Sequence, residues 1–470
     1  MLSIHDQGTK LCDGFTRREA LRIGGIGLGG LSLSSLLRNR ALASPAATSE
    51  LPGFGKAKSV IVFGLVGGIP QHETWDPKPD APEEVRGEFG TTNTKTPGLR
   101  VGELMPKTAQ LTDKIAVLRA LVTNDNSHSS SGYQMLTGIE HNPLNRESAL
   151  PGPPNDHPSL AAVVRALRED RGLPSSIVLP EHIWNDGNIP WPGQDAGFLG
   201  RAHDPWLIKC YPNENRFDVP GMTLPEELTQ LRVNNRQSLL SQINKVQNRL
   251  ADANAVQNFS LHSQKAYNLL GSGAARDAFD LSKESEQTRE RYGEGRFAQS
   301  CLLARRLVQA DVSLVQINWT RIADERKLEN QGGWDTHAKH NKSLKEHLMP
   351  SMDQTFSALV EDLDQRGMLD ETLVIMFTEF GHTPKFNARA GRDHWGKVFS
   401  IAMAGGGVRG GAVYGESDKH AAFPVEGAVR PRDFLATVYH LLGYPPHTEV
   451  YDPVNRPTQI SRGEVIHQIL

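Results

Sequence analysis

Cysteine is scarce in this chain, with three in 470 residues. Two of them, Cys210 and Cys301, lie beyond the first 43 residues and allow one disulfide at most. The sequence alone does not decide whether these two residues pair. A thiolate metal site is excluded, because such sites use sets of cysteines, or of cysteines and histidines, at short spacings.

A strong net charge is also absent. The chain has 51 Lys and Arg residues against 54 Asp and Glu residues, a formal charge of -3, and a pI near 6.6. Proteins that bind nucleic acid through its phosphates usually present a basic surface. We therefore expect no nucleic-acid partner and no electrostatic binding to membranes. With 38% apolar and 7% aromatic residues the chain can still bury a sizeable core.

Long uninterrupted apolar runs are missing as well. The weakly apolar segment Ile23–Leu37 is rich in Gly and Ser and too short for a stable membrane span. It follows the pair Arg17–Arg18 and precedes the small residues of Ala41–Ala43, a pattern typical of a twin-arginine signal peptide. We interpret residues 1–43 as this signal and 44–55 as a linker. We therefore expect the twin-arginine export machinery as a partner, and a location in the periplasm or outside the cell.

Short apolar runs bounded by polar turns predict strands in the rest of the chain. They are Lys58–Val66, Ile115–Val122, Ser176–Leu179, Ser313–Trp319, Leu373–Phe377, Val398–Ala404 and Ala412–Tyr414. Helical spacing of apolar residues occurs at Ser159–Arg168, Pro225–Ala253, Asn258–Leu270, Phe297–Ala310, Asn341–Arg366 and Pro431–Leu442. Strands that alternate with helices predict an α/β fold with a doubly wound, mostly parallel sheet and helices on both faces. We expect one domain over 56–470, with a helical insertion around 225–290.

Four of the predicted strands are followed by polar clusters. These clusters are His72, Glu73 and Asp76; Asp125 to Ser131; Asp335, His337 and His340; and Glu379, His382, Asp393 and His394. Ligands of open parallel sheets bind at the carboxyl ends of the strands, so these side chains fall where a site is expected. A mixed set of carboxylates and imidazoles suits one or two divalent metal ions (zinc, calcium or magnesium) in a hydrolytic site. The alternative is a structural hydrogen-bond network at the sheet edge.

The candidate metal ligands are Glu73, Asp335, His337, Glu379 and His394. Spacing leaves open whether His337 or His340 joins Asp335 on one ion. We expect Asp393 to orient a ligand imidazole, and we keep His382 as a reserve ligand.

A nucleophile could come from the serine-rich turn or from a water held by a metal ion. The candidate catalytic residues of this turn are Ser127, His128, Ser129 and Ser131. A hydrolase with a Ser-His-acid triad is disfavoured, because no Gly-x-Ser-x-Gly motif follows any strand.

Several ordered motifs resemble a known family. They include GGIPQHETWDPKPD, HSSSGYQMLTG, GGWDTH, TEFGHTPKFN, GRDHWGKVFSIAMAGGGVRGG and PRDFLATVYHLLG. Together with the twin-arginine signal they look like the secreted family catalogued as domain of unknown function 1501, which is abundant in planctomycete-type bacteria. That family in turn resembles the alkaline phosphatase and sulfatase superfamily. The resemblance implies one or two metal ions at the carboxyl ends of the sheet and cleavage of phosphate or sulfate esters.

By this resemblance, Glu73 corresponds to the acidic metal ligand on the superfamily's first strand, and Asp335 and His337 to its Asp and His ligands ahead of the long helix. Glu379 corresponds to the acidic ligand on the next strand, and His394 to the histidine ligand late in the chain. Two departures stand out. Phe380 follows Glu379 where the superfamily has a histidine, so an imidazole is missing unless His382 or His394 replaces it. A sulfatase would have Cys or Ser followed by x-Pro-x-Arg before Leu-Thr-Gly, and this chain has His128-Ser-Ser-Ser-Gly132, which argues against a formylglycine nucleophile.

From these observations we expect an exported, metal-dependent hydrolase that acts on a small-molecule or polysaccharide ester of phosphate or sulfate. The alternative is a non-catalytic member of the same fold that binds glycan or a cell-envelope partner and has an eroded metal site. Metal content of the isolated protein distinguishes the two.

Overall fold

The computed structural model describes residues 51–185, 189–214, 273–319 and 329–470. The twin-arginine segment, most of the linker and the helices expected within 225–270 lie outside the described residues. Contacts divide the chain into Met1–Phe54 and Gly55–Leu470. The sheet and helices given below belong to the second unit. Of the expected helical insertion, the described part from 273 to 292 is helical.

Eight strands form the central sheet. They are β1 (Ser59–Leu65), β2 (Ile115–Leu121), β3 (Ser176–Leu179), β4 (Trp206–Leu207), β5 (Leu314–Trp319), β6 (Thr372–Phe377), β7 (Phe399–Ala404) and β8 (Val413–Tyr414). Their order is β8-β2-β7-β6-β1-β5-β3-β4. Strand β7 pairs antiparallel with both neighbours, β6 and β2, whereas the other pairs are parallel. The predicted doubly wound, mostly parallel sheet is confirmed.

Helices cover both faces of the sheet. The longer ones are α1 (His128–Thr137), α2 (Leu160–Leu167), α3 (Gly273–Phe279), α4 (Glu286–Tyr292), α5 (Arg296–Gln309), α6 (Met349–Gln365) and α7 (Pro431–Leu441). Shorter helical segments are Glu83–Arg86, Pro106–Ala109, Thr112–Lys114, Gly197–Leu199, Arg201–His203, Leu281–Lys283, Glu329–Gly332, His340–Ser343, Leu344–Leu348, Leu369–Glu371 and His467–Ile469. None of the described helices combines the length and apolar character that a membrane crossing requires.

Side chains of β1 alternate between two hydrophobic cores, as the period of two in a strand requires. Ile61, Phe63 and Leu65 pack with α3 to α6 on one face. Val60 and Val62 pack on the other face with α1, α2 and α7. Because both faces are buried, the strands read as continuous apolar runs, which is why the sequence reveals them.

Short antiparallel strand pairs form separate two-stranded sheets outside the central sheet. They join Thr91–Asn93 to Arg100–Gly102, Trp184–Asn185 to Ile189–Pro190, Gly381–His382 to His394–Trp395, Glu416–Ser417 to Pro424–Glu426, and Glu449–Tyr451 to Pro457–Gln459. The pair that contains His382 and His394 lies beside the candidate site. Cys210 and Cys301 are both buried free thiols, so the open question of their pairing is answered.

One local prediction is wrong. The segment Ser127–Ser131 is not a free turn: Ser127 is the N-cap of α1, and the helix starts at His128. The helix predicted over Asn341–Arg366 is present from His340 to Gln365 and contains one π-helical turn at Leu344–Leu348. Pro350 explains the π-helical turn, because proline has no N–H and its ring clashes with the carbonyl four residues earlier, so the preceding turn widens.

Candidate metal centre

Three side chains from two segments converge at the carboxyl edge of the sheet. Asp335 Oδ1 lies 3.0 Å from His337 Nε2 and 3.1 Å from His394 Nε2. The two Nε2 atoms are 2.9 Å apart. Donor atoms that share one tetrahedral zinc ion at about 2.0 to 2.2 Å are separated by roughly 3.3 Å. The three atoms are therefore close to the spacing of ligands around a single ion.

The Nδ1 atoms of His337 and His394, on the side of each ring away from the cluster, face hydrogen-bond acceptors. His337 Nδ1 donates to Asp393 Oδ1 at 2.7 Å, and His394 Nδ1 donates to the carbonyl of Asn126 at 2.8 Å. A neutral ring that carries its proton on Nδ1 presents a lone pair at Nε2. Two imidazole lone pairs and a carboxylate oxygen then point at one another, an arrangement that requires a proton or a cation between them. The donor set thus fits a divalent metal ion.

His128 bridges the cluster to a second carboxylate. Its Nδ1 lies 2.8 Å from Glu379 Oε1, and its Nε2 lies 3.4 Å from Asp335 Oδ2. Hydrogen bonds to these two carboxylates outweigh burial and raise the pKa of His128 to about 10. His128, Asp335 and His394 also present ligand atoms within 4.8 Å of one another and form a group that could hold a metal ion. His128 and His337 each have both ring nitrogens facing carboxylate oxygens. We assign the ligand role to His337, because its Nε2 lies 3.0 Å from Asp335 and 2.9 Å from His394 Nε2, and the cationic role to His128, whose Nε2 lies 3.4 Å from Asp335.

The same contacts shift the pKa values of Asp335 and His337. Burial favours a raised pKa for Asp335, but hydrogen bonds from His128, His337 and His394 outweigh it and hold that pKa well below its usual value. The hydrogen bond to Asp335 raises the pKa of His337. A carboxylate kept ionised among imidazoles is the state that binds a cation.

Glu379 lies two residues after the end of β6 and is fully buried. Besides His128, its carboxylate accepts hydrogen bonds from the Gly67 N–H at 2.9 Å and from Thr378 Oγ1 at 3.3 Å. Gly67 has φ of +120°, and a Cβ there would lie 2.5 Å from the backbone nitrogen of Asp335. Only glycine fits between the two segments. The contacts of Glu379 are therefore with His128 and the end of β1.

Glu73 makes a different set of contacts. Its Oε1 accepts a hydrogen bond from Arg392 Nη2 at 2.7 Å, and both side chains are buried. Its Oε2 lies 3.4 Å from His340 Nε2. Burial favours a raised pKa for Glu73, but the charge of Arg392 outweighs it and holds that pKa well below its usual value. The structure does not bring Glu73 into the Asp335 cluster.

His382, the reserve ligand, is fully buried and contacts His340, with ring centroids 5.3 Å apart. Neither ring nitrogen has a hydrogen-bond partner among the described residues. Burial lowers its pKa well below the usual value, so the ring is neutral. Of the two histidines near Asp335 in sequence, His337 points its Nε2 at the cluster and His340 contacts Glu73.

The serines of α1 are occupied by structural hydrogen bonds. Ser131 Oγ donates to the carbonyl of Glu379 at 2.7 Å and lies 2.8 Å from Thr123 Oγ1. Ser129 Oγ accepts a hydrogen bond from Asn185, and both serines are fully buried. Ser127 is half-buried at the N-cap, and its backbone N–H donates to Asp125.

Two residues that support the centre, and one that supports Glu73 outside it, were missed by the sequence reasoning. Asn126 accepts from His394 through its carbonyl, and its side-chain oxygen accepts from the Gly396 N–H at 2.7 Å. Asn387 donates to Asp393 Oδ1 at 3.0 Å and to the carbonyl of His337 at 3.0 Å. Arg392 neutralises Glu73. The only sequence signal was their position beside candidate residues, and that does not specify a partner.

The sheet and the cluster together define an α/β protein with an Asp-His-His constellation, of the kind that holds a divalent metal ion, at the carboxyl edge of a mostly parallel sheet. The chain belongs to the family described as protein of unknown function DUF1501, whose model matches residues 57–470. The family named by the resemblance is thereby confirmed. No curated protein sequence matches the chain.

Solved structures with similar folds include hydrolases. A phosphonate monoester hydrolase from Silicibacter pomeroyi is 10% identical, with 87% of this chain and 76% of that chain covered and a TM-score of 0.36. A sulfatase from Pseudoalteromonas sp. is 12% identical, with 85% and 69% covered and a TM-score of 0.36. The zinc complex of the C-terminal periplasmic domain of EcEptC from Escherichia coli is 12% identical, with 89% and 91% covered and a TM-score of 0.34. Likeness at this level leaves the activity of this chain to be argued from its own side chains.

Proposed function

We propose that this protein is an exported, metal-dependent hydrolase of phosphate or sulfate esters, with Asp335, His337 and His394 as its metal ligands. The observation that supports the proposal is the convergence of three lone-pair atoms within 3.1 Å, while both imidazoles donate their other nitrogen outward. These atoms would repel one another without a proton or a cation between them.

The chemistry of the donor set favours one class of metal. Two imidazole nitrogens with one carboxylate oxygen suit zinc, whereas calcium and magnesium prefer oxygen ligands throughout. Three protein ligands also leave a position open, as catalytic zinc sites do. When bound, such an ion would polarise the ester and lower the pKa of a water molecule.

His128 then has a chemical role of its own. Glu379 holds its Nδ1 at 2.8 Å, and its Nε2 faces the cluster beside Asp335. In hydrolysis the oxygen of water forms a bond to phosphorus or sulfur, and the bond to the ester oxygen breaks. We assign His128 the donation of a proton to that leaving oxygen, with Glu379 as the residue that positions the imidazole.

Water is the preferred nucleophile in this scheme. Ser129 and Ser131 are buried and hydrogen-bonded within the fold, so an attack by either would break contacts that hold α1 to the sheet. Ser127 is the candidate that remains from the predicted serines.

The non-catalytic alternative is favoured by one feature. Glu379 is satisfied by His128, Gly67 and Thr378, so this acid is already compensated without a second ion. A protein that holds one structural ion and binds a glycan or an envelope partner would show the same contacts.

Metal content tests the proposal. We expect protein purified from the periplasm to hold about one zinc-type ion per chain and to hydrolyse p-nitrophenyl phosphate or p-nitrophenyl sulfate. Asp335→Ala should lose both the ion and the activity, whereas Asp113→Ala, at an exposed aspartate that pairs with Lys95, should keep both. Wild-type protein that carries no metal and gains none on titration would refute the hydrolase and leave the binding protein.

Export rests on Arg17–Arg18 and the weakly apolar run that follows. Replacing both arginines with lysine should retain the precursor in the cytoplasm. An unchanged periplasmic yield would contradict export by the twin-arginine route.

A further inference from the structure

Three arginines line a cavity of about 200 Å³, which we call the arginine cavity. Arg430 directly precedes α7, Arg432 is the second residue of that helix, and Arg462 comes from the C-terminal segment of the chain. All three residues are exposed. Guanidinium groups are charged at every working pH, so positive charge is concentrated here although the chain as a whole has a net charge of -3.

The protein itself compensates this charge only in part. Among the described residues, neither Arg430 nor Arg462 has a carboxylate within ion-pair distance. Arg432 Nε lies 3.7 Å from Asp433 Oδ1, an oxygen that also accepts a hydrogen bond from the N–H of residue 464 at 3.0 Å. Glu140 is the one acid in the described lining of the cavity. Three guanidinium groups therefore face one carboxylate, and an anion would balance the excess.

The shape and the donors of the arginine cavity favour an oxyanion over other anions. Its volume is below the roughly 300 to 1,000 Å³ of sites for drug-sized ligands, so it suits a small ion or one group of a larger molecule. The planar fork of a guanidinium donates two parallel hydrogen bonds to neighbouring oxygens of a phosphate or sulfate group. The dipole of α7 acts in the same sense, because the cavity adjoins the first turn of that helix.

One loop separates the arginine cavity from the candidate metal centre. Asn124 lines the cavity, and two residues later the carbonyl of Asn126 accepts from His394 Nδ1 at 2.8 Å. Lys397 Nζ donates to Asn124 Oδ1 at 3.2 Å and brings a fourth cation to this loop. No proposed metal ligand is among the described residues of the lining. The cavity is therefore a separate place on the same edge of the sheet.

We propose that the arginine cavity binds a phosphate or sulfate oxyanion, either as the free ion or as one group of a larger molecule. Arg430, Arg432 and Arg462 donate to the oxygens of this anion. Binding makes and breaks no covalent bond and needs no metal ion. The site therefore stands apart from the proposed hydrolysis at the metal centre.

Calorimetric titration of the full chain with inorganic phosphate and with sulfate provides the test. The protein is first treated with a chelator, so that no metal ion can hold the anion, and chloride keeps the ionic strength constant. We expect one oxyanion per chain. Replacing Arg432 and Arg462 together with alanine should weaken binding by about tenfold or more, because two charge-assisted donors are lost.

Two further variants separate a specific site from general surface charge. Arg171→Ala is the matched control and should leave the affinity unchanged, because Arg171 is an exposed arginine beside the first residues of β1 and β6, at the opposite edge of the sheet. Glu140→Gln should strengthen binding severalfold, because it removes the negative charge from the lining. A gain in affinity cannot come from a misfolded chain.

Several outcomes would overturn the arginine cavity as a site. They are the absence of phosphate and sulfate binding, an unchanged affinity in the double arginine variant, and an equal loss in Arg171→Ala. Because the protein carries no metal during these titrations, a failure of the proposed hydrolase leaves their result unaffected.

Tripolyphosphate identifies the source of the anion. If it binds no more tightly than phosphate, the ligand is the free ion. If it binds at least tenfold more tightly and the double arginine variant abolishes this difference, the ligand is a group of a larger polyanion. Tighter binding that persists in the double variant would place the anion elsewhere and overturn the proposal.

Discussion

Two clusters of carboxylates and imidazoles lie at the same edge of the sheet, yet they differ in how their charges are compensated. In one, Glu73 is paired with the buried Arg392 at 2.7 Å. In the other, three carboxylates, Asp335, Glu379 and Asp393, surround histidines, of which His128 is held as a cation. The Glu73 cluster is neutral through its own side chains, whereas the proposed divalent cation would balance the Asp335 cluster.

This comparison shows why a carboxylate beside a histidine does not by itself indicate a metal ligand. An arginine that donates to a buried carboxylate compensates its charge. Arg392 does this at Glu73 Oε1, although Glu73 Oε2 has no hydrogen-bond partner among the described residues. In the Asp335 cluster the partner of the carboxylates is the imidazole of His128 instead, with its Nε2 3.4 Å from Asp335 Oδ2 and its Nδ1 2.8 Å from Glu379 Oε1.

Removal of the cationic imidazole should have the largest effect. His128→Gln should lower the rate of ester hydrolysis by roughly 10² to 10⁴, because the proton donor to the leaving oxygen is lost, while the metal per chain stays the same. The measurements are kcat with p-nitrophenyl phosphate or sulfate, and metal content on the same sample. A variant that loses the ion as well would make His128 a ligand rather than a proton donor.

Removal of the arginine in the neutral cluster should act on stability instead. Arg392→Met leaves Glu73 buried and unpaired and should lower the free energy of unfolding by about 3 to 5 kcal/mol. Chemical denaturation measures the loss. The double variant Arg392→Met with Glu73→Gln should recover part of it, because the buried charge is gone. Both should keep the metal in the folded fraction, and loss of the metal from the double variant would show that Glu73 serves the ion.

The smallest effect is expected at the acceptor behind His337. Asp393→Asn removes the charge that orients the imidazole and should weaken metal affinity by about 10 to 100-fold. The Asp393 side chain is 49% exposed, so the fold should tolerate the change. Competition with a chelator measures the affinity, and an exposed aspartate replaced in the same way, Asp113→Asn, is the control. An unchanged metal affinity would show that Asp393 does not support the metal centre.

The fold was accessible from the sequence because its strands are buried on both faces. The strand β6 is apolar from Leu373 to Phe377, and its observed start is one residue before the predicted one, whereas its last residue is the predicted one. The start of α1 at His128 was missed because the serines were read as loop formers, although Ser is also a preferred N-cap. The π-helical turn before Pro350 has no pattern that distinguishes it from an α-helix.

The site was accessible only in part, because pairing across the chain is not encoded locally. Glu73 and Arg392 are separated by 319 positions, and the residues near Glu73 in the sequence do not indicate an arginine partner. Likewise Glu379 and His128 lie 251 positions apart. The strand-end rule gathers residues to one edge but does not assign them to one cluster or another.

The candidate metal centre also depends on the antiparallel strand β7. This strand lies between β2 and β6, and because it runs opposite to them its first residue, not its last, is at the site edge. His394 therefore precedes its strand, whereas Glu379 and His128 follow theirs. The proposed ligands come together only when β7 lies between two strands that are separated by 250 residues of chain, which is a non-local arrangement. The ion would then bind only to a chain whose sheet is fully assembled. A chain that carries its metal would already be in the folded state that twin-arginine export accepts.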